Sequence, residues 1–404
     1  MLGLGGFISP SIANLSFIHS IELSVNGFSG EVPPEFGRLH RLQYLNLSFN
    51  ALHGMVPVNL ANCLKLRVLD LGCNQLTGSI PVELGQTLPK LEILALGNNS
   101  LTGVIPSSIG NLSSLTLLSL ALNSLEGIIP QELGRLSNLI TFQVAANWLN
   151  GSIPPVLFNI SSLDYFSVAR NQLHGTLPPS LGAKLPKLTT LLLGFNKLSG
   201  TIPASLSNAS MLQNIDLPTN KFSGTVPPVF GGMDALFFLN LQKNQFQASD
   251  AKDLSFIDSL VNCSNLRVFS IAYNDLGGSI PQFLEDFKYL SVLDLSYNHF
   301  HGELPVKGKR PVDERFKDGM TLRKFVEICA SHDRIMEVID PSLMFSQQQE
   351  DDGIEHGDIS VDERKKIECL VSVVALGLAC SVESPNERLG MSDVAAQMHA
   401  IRKR

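Results

Sequence analysis

Charge is scarce in this 404-residue chain: 17% of its residues are Asp, Glu, Lys or Arg, they sum to −7, and no basic stripe runs along it. A polyanion needs a concentrated Lys/Arg surface, so nucleic acid and an anionic membrane surface are set aside as partners. Six cysteines (Cys63, Cys73, Cys263, Cys329, Cys369 and Cys380) stand apart, without a CxxC pair or a histidine at metal spacing. Neither a zinc site nor a disulfide framework is implied, and buried free thiols are expected. Cys63 and Cys263 follow asparagine in equivalent contexts, Asn62-Cys63 and Asn262-Cys263, which points to packing. No uninterrupted apolar run reaches the roughly eighteen residues of a membrane helix, so the chain as given holds no span. Tryptophan occurs once, at Trp148.

What is abundant is a periodic asparagine. Asn26, Asn50 and Asn74 stand 24 residues apart, and the series continues through Asn99, Asn123, Asn147, Asn171, Asn196, Asn220, Asn244, Asn274 and Asn298. Each sits in the frame L-x-x-L-x-L-x-x-N-x-L-x-G-x-I-P, as in Leu91, Leu94, Leu96, Asn99, Leu101, Gly103, Ile105 and Pro106. This frame defines a leucine-rich-repeat array. One repeat cannot bury its leucines alone, whereas stacked repeats close a continuous core. The expected fold is an α/β repeat: a right-handed solenoid with short parallel strands on its concave face. The asparagine amide is expected to satisfy backbone groups inside the turn, a structural role. Gly-x-Ile-Pro is expected to turn the chain toward an extended convex side. No basic segment followed by a sustained apolar run marks a signal peptide, and Leu4, Gly6, Ile8 and Pro10 already read as half a repeat.

The chain divides at its chemistry. Residues 1–306 carry about twelve repeats plus a partial first one, and Asn-x-Ser sequons fall at Asn14, Asn46, Asn98, Asn111, Asn150, Asn159, Asn208 and Asn262. Such sequons are acceptors only in the secretory pathway. None follows Asn262, and after Pro305 the 24-residue frame stops. Residues 307–404 open on a charged stretch and then show helical patterns over 322–330, 368–379 and 392–402, separated by a polar, acidic loop over 347–362. Leu370, Val374, Leu378 and Val394 are expected to leave apolar helix faces exposed.

Array and tail together resemble a plant leucine-rich-repeat receptor-like serine/threonine protein kinase, of the subfamily that includes immune receptors. The marks are Ile8-Ser9-Pro10-Ser11-Ile12 at the start and a stretched eleventh repeat, where Ala248-Ser249-Asp250-Ala251 replaces Gly-x-Ile-Pro. In the tail, Gly308-Lys309-Arg310-Pro311 and Cys380-Ser381 to Arg388-Leu389 are similar to the end of a kinase C-lobe. The resemblance implies that Arg388 is the structural arginine that pairs with the glutamate of an A-P-E motif, which the sequence lacks. A kinase also needs a glycine-rich loop, a strand lysine, H-R-D-x-x-x-x-N and D-F-G, and none occurs. The chain as given is therefore expected to be no enzyme and to take no cofactor; ATP and magnesium enter only if a kinase core exists that this sequence omits. The resemblance places the repeats outside a plasma membrane and implies signalling in plant defence.

Side chains of a strand alternate, so the variable positions flanking the leucines are expected on the concave face. They are Gln143, Tyr165, Arg170, Phe195, Asp216, Phe238, Asn240, Lys243 and Tyr273. Aromatic and mixed-charge residues on neighbouring strands can hold an extended peptide or protein ligand. The resemblance adds a co-receptor ectodomain as a partner. Trp148, at a turn, is expected to pack on the adjacent turn, with a binding anchor as the alternative. Competing classes stay open: a truncated view of an active membrane receptor kinase, or a soluble repeat scaffold such as a polygalacturonase-inhibiting protein.

Overall fold

The computed structural model describes residues 3–250, 252–279, 287 and 289–301. The helices expected over 322–330, 368–379 and 392–402, the loop over 347–362 and Arg388 lie outside the described residues. Among the described residues each repeat begins with a three-residue strand whose middle leucine, isoleucine or phenylalanine is buried in all but the last, as in Val68–Asp70, Thr141–Gln143 and Asn214–Asp216. These strands pair in parallel, in chain order, into one twelve-stranded sheet from Ser20–Glu22 to Val292–Asp294. Proline then starts a single helical turn: Pro106 at φ −64° precedes the 3-10 turn Ser107–Asn111, and Pro130 at φ −65° precedes Gln131–Arg135. Strands stack at roughly 4.8 Å, closer than helical turns pack, which curves the stack with the long sheet inside. Among the described residues no helix is long and apolar enough to cross a membrane.

The return path is more ordered than an extended crossing. The N-x-L-x-G segments form second strands, such as Glu126–Ile128, Trp148–Asn150 and His174–Thr176, in parallel sheets of four, two and six strands. Isolated bridges at Ser79–Thr102, Val104–Glu126 and Ser152–His174 link these sheets edge to edge. Glycine makes the following corner, with Gly127 at φ 75° and Gly151 at 76°, where a Cβ is disfavoured. A different constraint acts in the helical turns: a Cβ on Gly110 would run into the Glu132 carbonyl of the next repeat.

The core is a column of leucines, with phenylalanine taking over in the later repeats. Phe142 and Phe166 stack at 5.2 Å between centroids, and Phe158 lies 5.4 Å from Phe166. The eleventh repeat is stretched because it carries a helix, Ser255–Leu260, that buries Phe256, Ile257 and Leu260. The Asp253 carboxylate accepts the Ser249 N–H at 2.8 Å and Asp250 accepts that of Lys252 at 2.8 Å, which folds the segment replacing Gly-x-Ile-Pro. Cys63 and Cys263 are buried, free thiols that donate to the Phe36 and Phe230 carbonyls at 3.3 and 3.0 Å. Burial pushes both thiols up to about 11, so neither is a nucleophile at neutral pH.

The repeating asparagines do more than close their own turns. The Asn147 amide donates to Val144 and Ala145 in its own repeat at 3.2 and 3.3 Å and to Leu120 in the preceding one at 3.0 Å. Its oxygen accepts the Leu125 N–H of that preceding repeat at 2.9 Å. Asn74 and Asn220 repeat the same four bonds. Each backbone group left unpaired in a buried site costs about 1–3 kcal/mol. Asn147→Ala is therefore predicted to lower unfolding stability by at least ~3 kcal/mol in urea titrations, against less than ~0.5 kcal/mol for the exposed Lys221→Ala. Equal effects of the two would remove the asparagine from this role.

Candidate ligand face

The long sheet presents its outward side chains in straight rows, because parallel pairing keeps equivalent repeat positions opposite one another. Thr141, Tyr165, Thr190, Asn214 and Phe238 form one row. Gln143, Ser167, Leu192, Asp216, Asn240 and Ser270 form the next. Five of the residues expected on this face, Gln143, Tyr165, Asp216, Phe238 and Asn240, are half-buried members of these rows. Asn240 donates to the Asp216 carboxylate at 2.9 Å, and Ser119 donates to the Gln143 amide oxygen at 3.3 Å.

The other four reach the surface by a different route. Strict alternation would point Arg170, Phe195, Lys243 and Tyr273 into the core. Instead the residue before every repeat asparagine has φ between 52 and 58°. That left-handed step ends the strand and swings the side chain out, giving a third row that runs from Val25 to Tyr297. The period-two reading of these four is thus corrected: they flank the sheet, and backbone strain exposes them. Arg170 lies 4.8 Å above the Phe195 ring, Lys243 5.2 Å from the Tyr273 ring, and Tyr273 stacks on Tyr297 at 3.9 Å and 12°. Between this row and the sheet lies a strip of mostly small residues, Ala145, Ala169, Gly194, Pro218 and Ala272, interrupted by Gln242. From Arg170 to Tyr273 are four inter-strand steps of roughly 4.8 Å, about 19 Å, the length of about six extended residues.

Some other features of the surface carried no sequence signal, the first of them a polar cluster. Toward the first repeats Glu22 accepts from Tyr44 at 2.9 Å and from Asn46 at 3.0 Å. Burial pushes the Glu22 carboxyl up, but the bonds from Ser24, Tyr44 and Asn46 outweigh it and hold it below the usual range. This cluster engages the Asn46 amide nitrogen, unlike the other sequon asparagines. Asn14, Asn111, Asn159 and Asn208 end the 3-10 turns on the far side, and Asn262 follows the helix Ser255–Leu260. Asn98 falls in the left-handed row and Asn150 on the second sheet. Trp148 does not pack on a turn; it is 60% exposed on that second sheet. An open groove of about 820 Å³ lies along the entry edge of the strands, lined in part by Ile140, Asp164, Lys187 and Met211. Among the described residues no group of His, Cys, Asp or Glu could hold a metal ion.

The stacked strands, proline-led turns and bridging asparagines define a leucine-rich-repeat solenoid. The family described as leucine rich repeat matches residues 65–125, 89–149 and 186–246, with a single-repeat match at 41–63. The chain contains leucine-rich repeats with homology to plant receptor-like kinases. It is similar to the receptor kinase-like protein Xa21 of Oryza sativa subsp. japonica, 43% identical over 98 residues, 24% of this chain and 9% of that protein. The crystal structure of a TDR receptor is 32% identical with a TM-score of 0.70, over 74% of this chain and 51% of that one. The ectodomain of the Arabidopsis receptor kinase HAESA, in complex with an IDA peptide hormone, is 31% identical with a TM-score of 0.55, over 75% of this chain and 62% of that one. The chain thus spans about half to three-fifths of these solved ectodomains and matches under a tenth of Xa21.

Two stability predictions come from this face. Thr219 combines a β-branched side chain at φ 54° with a buried hydroxyl that lacks a partner. Both costs vanish in Thr219→Gly, which is predicted to raise the urea midpoint by the equivalent of ~1–2 kcal/mol. An unchanged or lower midpoint would refute it. The Asp216 carboxyl is pushed up by burial, partly offset by the Asn240 bond. A raised folded value favours folding most below the unfolded value of about 3.9 and loses that contribution as pH climbs through the folded one. Asp216→Asn is predicted to gain stability relative to the parent between about pH 3 and pH 7; a constant difference across that range would exclude the burial account.

Proposed function

We propose that the repeats recognise an extended peptide, or an extended segment of a protein, laid across the strands between Arg170 and Tyr273. The observation that carries this reading is the left-handed row, where cations sit over exposed aromatic rings beside a strip of small residues. Rings offer flat apolar anchors, and the guanidinium and ammonium groups offer charge-assisted bonds to carbonyl or carboxylate oxygens. Phe238 and Tyr165 extend the apolar contact on the sheet side. The likeness to HAESA, an ectodomain solved with a peptide hormone, supports the same class of ligand here.

Signalling rests on likeness alone. Receptor kinase signalling is supported by the name of the relative Xa21, whereas a membrane anchor with the repeats outside, a co-receptor ectodomain as partner and a role in plant defence are drawn from the family resemblance of the sequence. The chain itself we read as a recognition module without phosphoryl transfer, since its sequence contains none of the groups that bind ATP and magnesium.

The test is selection of a random peptide library on the immobilised full chain, followed by affinities for the selected peptides. The double variant Phe195→Ala/Tyr273→Ala is expected to weaken binding at least ~tenfold, about 1.4 kcal/mol. Lys221→Ala, on the second sheet, should leave it unchanged. Peptides whose affinity ignores the double variant and Phe238→Ala would overturn the assignment.

A further inference from the structure

The second sheet carries an apolar patch that the ligand face does not use. Trp148 and Ile128 are each 60% exposed and Val104 is 56% exposed. They surround one exposed carboxylate: Trp148 lies opposite Glu126, Val104 bridges to Glu126 from the other side, and Ile128, two residues beyond Glu126 on the same face, lies opposite Asn150. Val104, Ile128 and Ser152 also line an adjoining open groove of about 680 Å³. A soluble surface rarely leaves large apolar side chains clustered in water without a covering partner.

The covering group is written into the same strand. In Trp148–Asn150 the middle residue, Leu149, is buried while Trp148 and Asn150 are exposed, so ring and amide share the outer face. Asn150-Gly151-Ser152 is a sequon with glycine at its centre. Gly151 at φ 76° turns the backbone between acceptor and hydroxyl, and Ser152 is exposed. Neither the Asn150 amide nor the Trp148 ring nitrogen has a hydrogen-bond partner among the described residues. The other sequons lack this arrangement. Asn111, Asn159 and Asn208 follow buried Ile109, Leu157 and Leu206 by two residues, and Asn46, which follows Tyr44, is tied to Glu22.

We propose that Asn150 is an N-glycosylation site whose first N-acetylglucosamine lies on the Trp148 ring and shields the Trp148–Ile128–Val104 patch. The reaction needs a lipid-diphosphate-linked oligosaccharide as donor. The Asn150 nitrogen forms a bond to the sugar C1 and loses one proton, while the C1–O bond to the diphosphate breaks and the lipid diphosphate leaves with the electron pair. The apolar face of the pyranose then meets the face of the indole, and its N-acetyl group reaches Ile128 on the adjacent strand. The sugar thereby closes the second sheet to proteins and leaves the strand face free.

Because Trp148 is the only tryptophan, its fluorescence reports this site alone. The full chain would be made behind a secretion leader in plant cells, and occupancy of Asn150 read by mass spectrometry of the peptide containing it. Acrylamide quenching of Trp148 would then be compared before and after enzymatic deglycosylation, in the parent and in Ser152→Ala, which cannot be modified at Asn150. The expected result is an occupied Asn150 and at least a twofold rise in the quenching constant on deglycosylation, with Ser152→Ala already at the higher value. An unmodified Asn150, whatever the other sequons carry, overturns the proposal. So does an occupied Asn150 whose removal leaves quenching unchanged. Peptide affinity on the strand face is a separate readout, so failure here leaves the ligand reading standing.

Discussion

The asparagine that recurs every 24 residues is the constraint on which the rest of the structure depends. Its amide is shared between consecutive repeats: two bonds close its own turn, and two more tie that turn to the one before. A solenoid has no distant contacts to hold it, so its stability is a sum of repeat and interface contributions. Buried leucines supply the non-directional part of each interface. The asparagine supplies the directional part, which sets how far one repeat is translated and turned against the next. The eleventh repeat shows how strict this is. Its turn is six residues longer than the common spacing, yet Asn274 still reaches Leu241 at 3.1 Å, because the extra residues are taken up in a helix on the far side.

The same ladder maintains the strain that builds the ligand face. A non-glycine residue in the left-handed region costs about 1–2 kcal/mol, and twelve of the described residues adopt it. It persists because the N–H of each such residue from Val25 to Tyr273 donates to the next repeat, as Lys243 does to Ala272 at 2.8 Å, and the following asparagine holds the turn from the other side. What the strain accomplishes is exposure: it turns outward a row that alternation would bury. Since the backbone bonds do not involve the side chain, that position accepts Val, Phe, Cys, Leu, Arg, Lys or Tyr alike. A position that is structurally demanding in its backbone and free in its side chain is well suited to carry specificity.

Two outer surfaces therefore serve different ends. The long sheet and the left-handed row combine rings, cations and small residues on strands paired from repeat to repeat, so a ligand meets a preformed surface. The second sheet is a by-product of the return path, where glycine corners bring N-x-L-x-G segments of neighbouring repeats into register. Its apolar patch around Trp148 coincides with an acceptor asparagine on the same strand face, opposite in character to the sequon at Asn46, whose amide is consumed by Glu22 and Tyr44.

From sequence alone the repeat length, the strand positions, the buried leucines, the packing role of Cys63 and Cys263 and the structural role of the asparagines could be read, because each depends on local periodicity or on chemistry inside one repeat. Five of the nine proposed contact residues, Gln143, Tyr165, Asp216, Phe238 and Asn240, follow from alternation in the same way. What only the tertiary structure decided are properties of the stack. The second sheet exists only when neighbouring repeats pair. The left-handed row, which exposes Arg170, Phe195, Lys243 and Tyr273, is held by bonds from adjacent repeats and leaves no mark in residue type. The cation–ring pairs, the Glu22–Tyr44–Asn46 cluster and the exposure of Trp148 join residues from successive repeats that only stacking brings into contact. Sequence encodes the unit; the interface between units decides the surface.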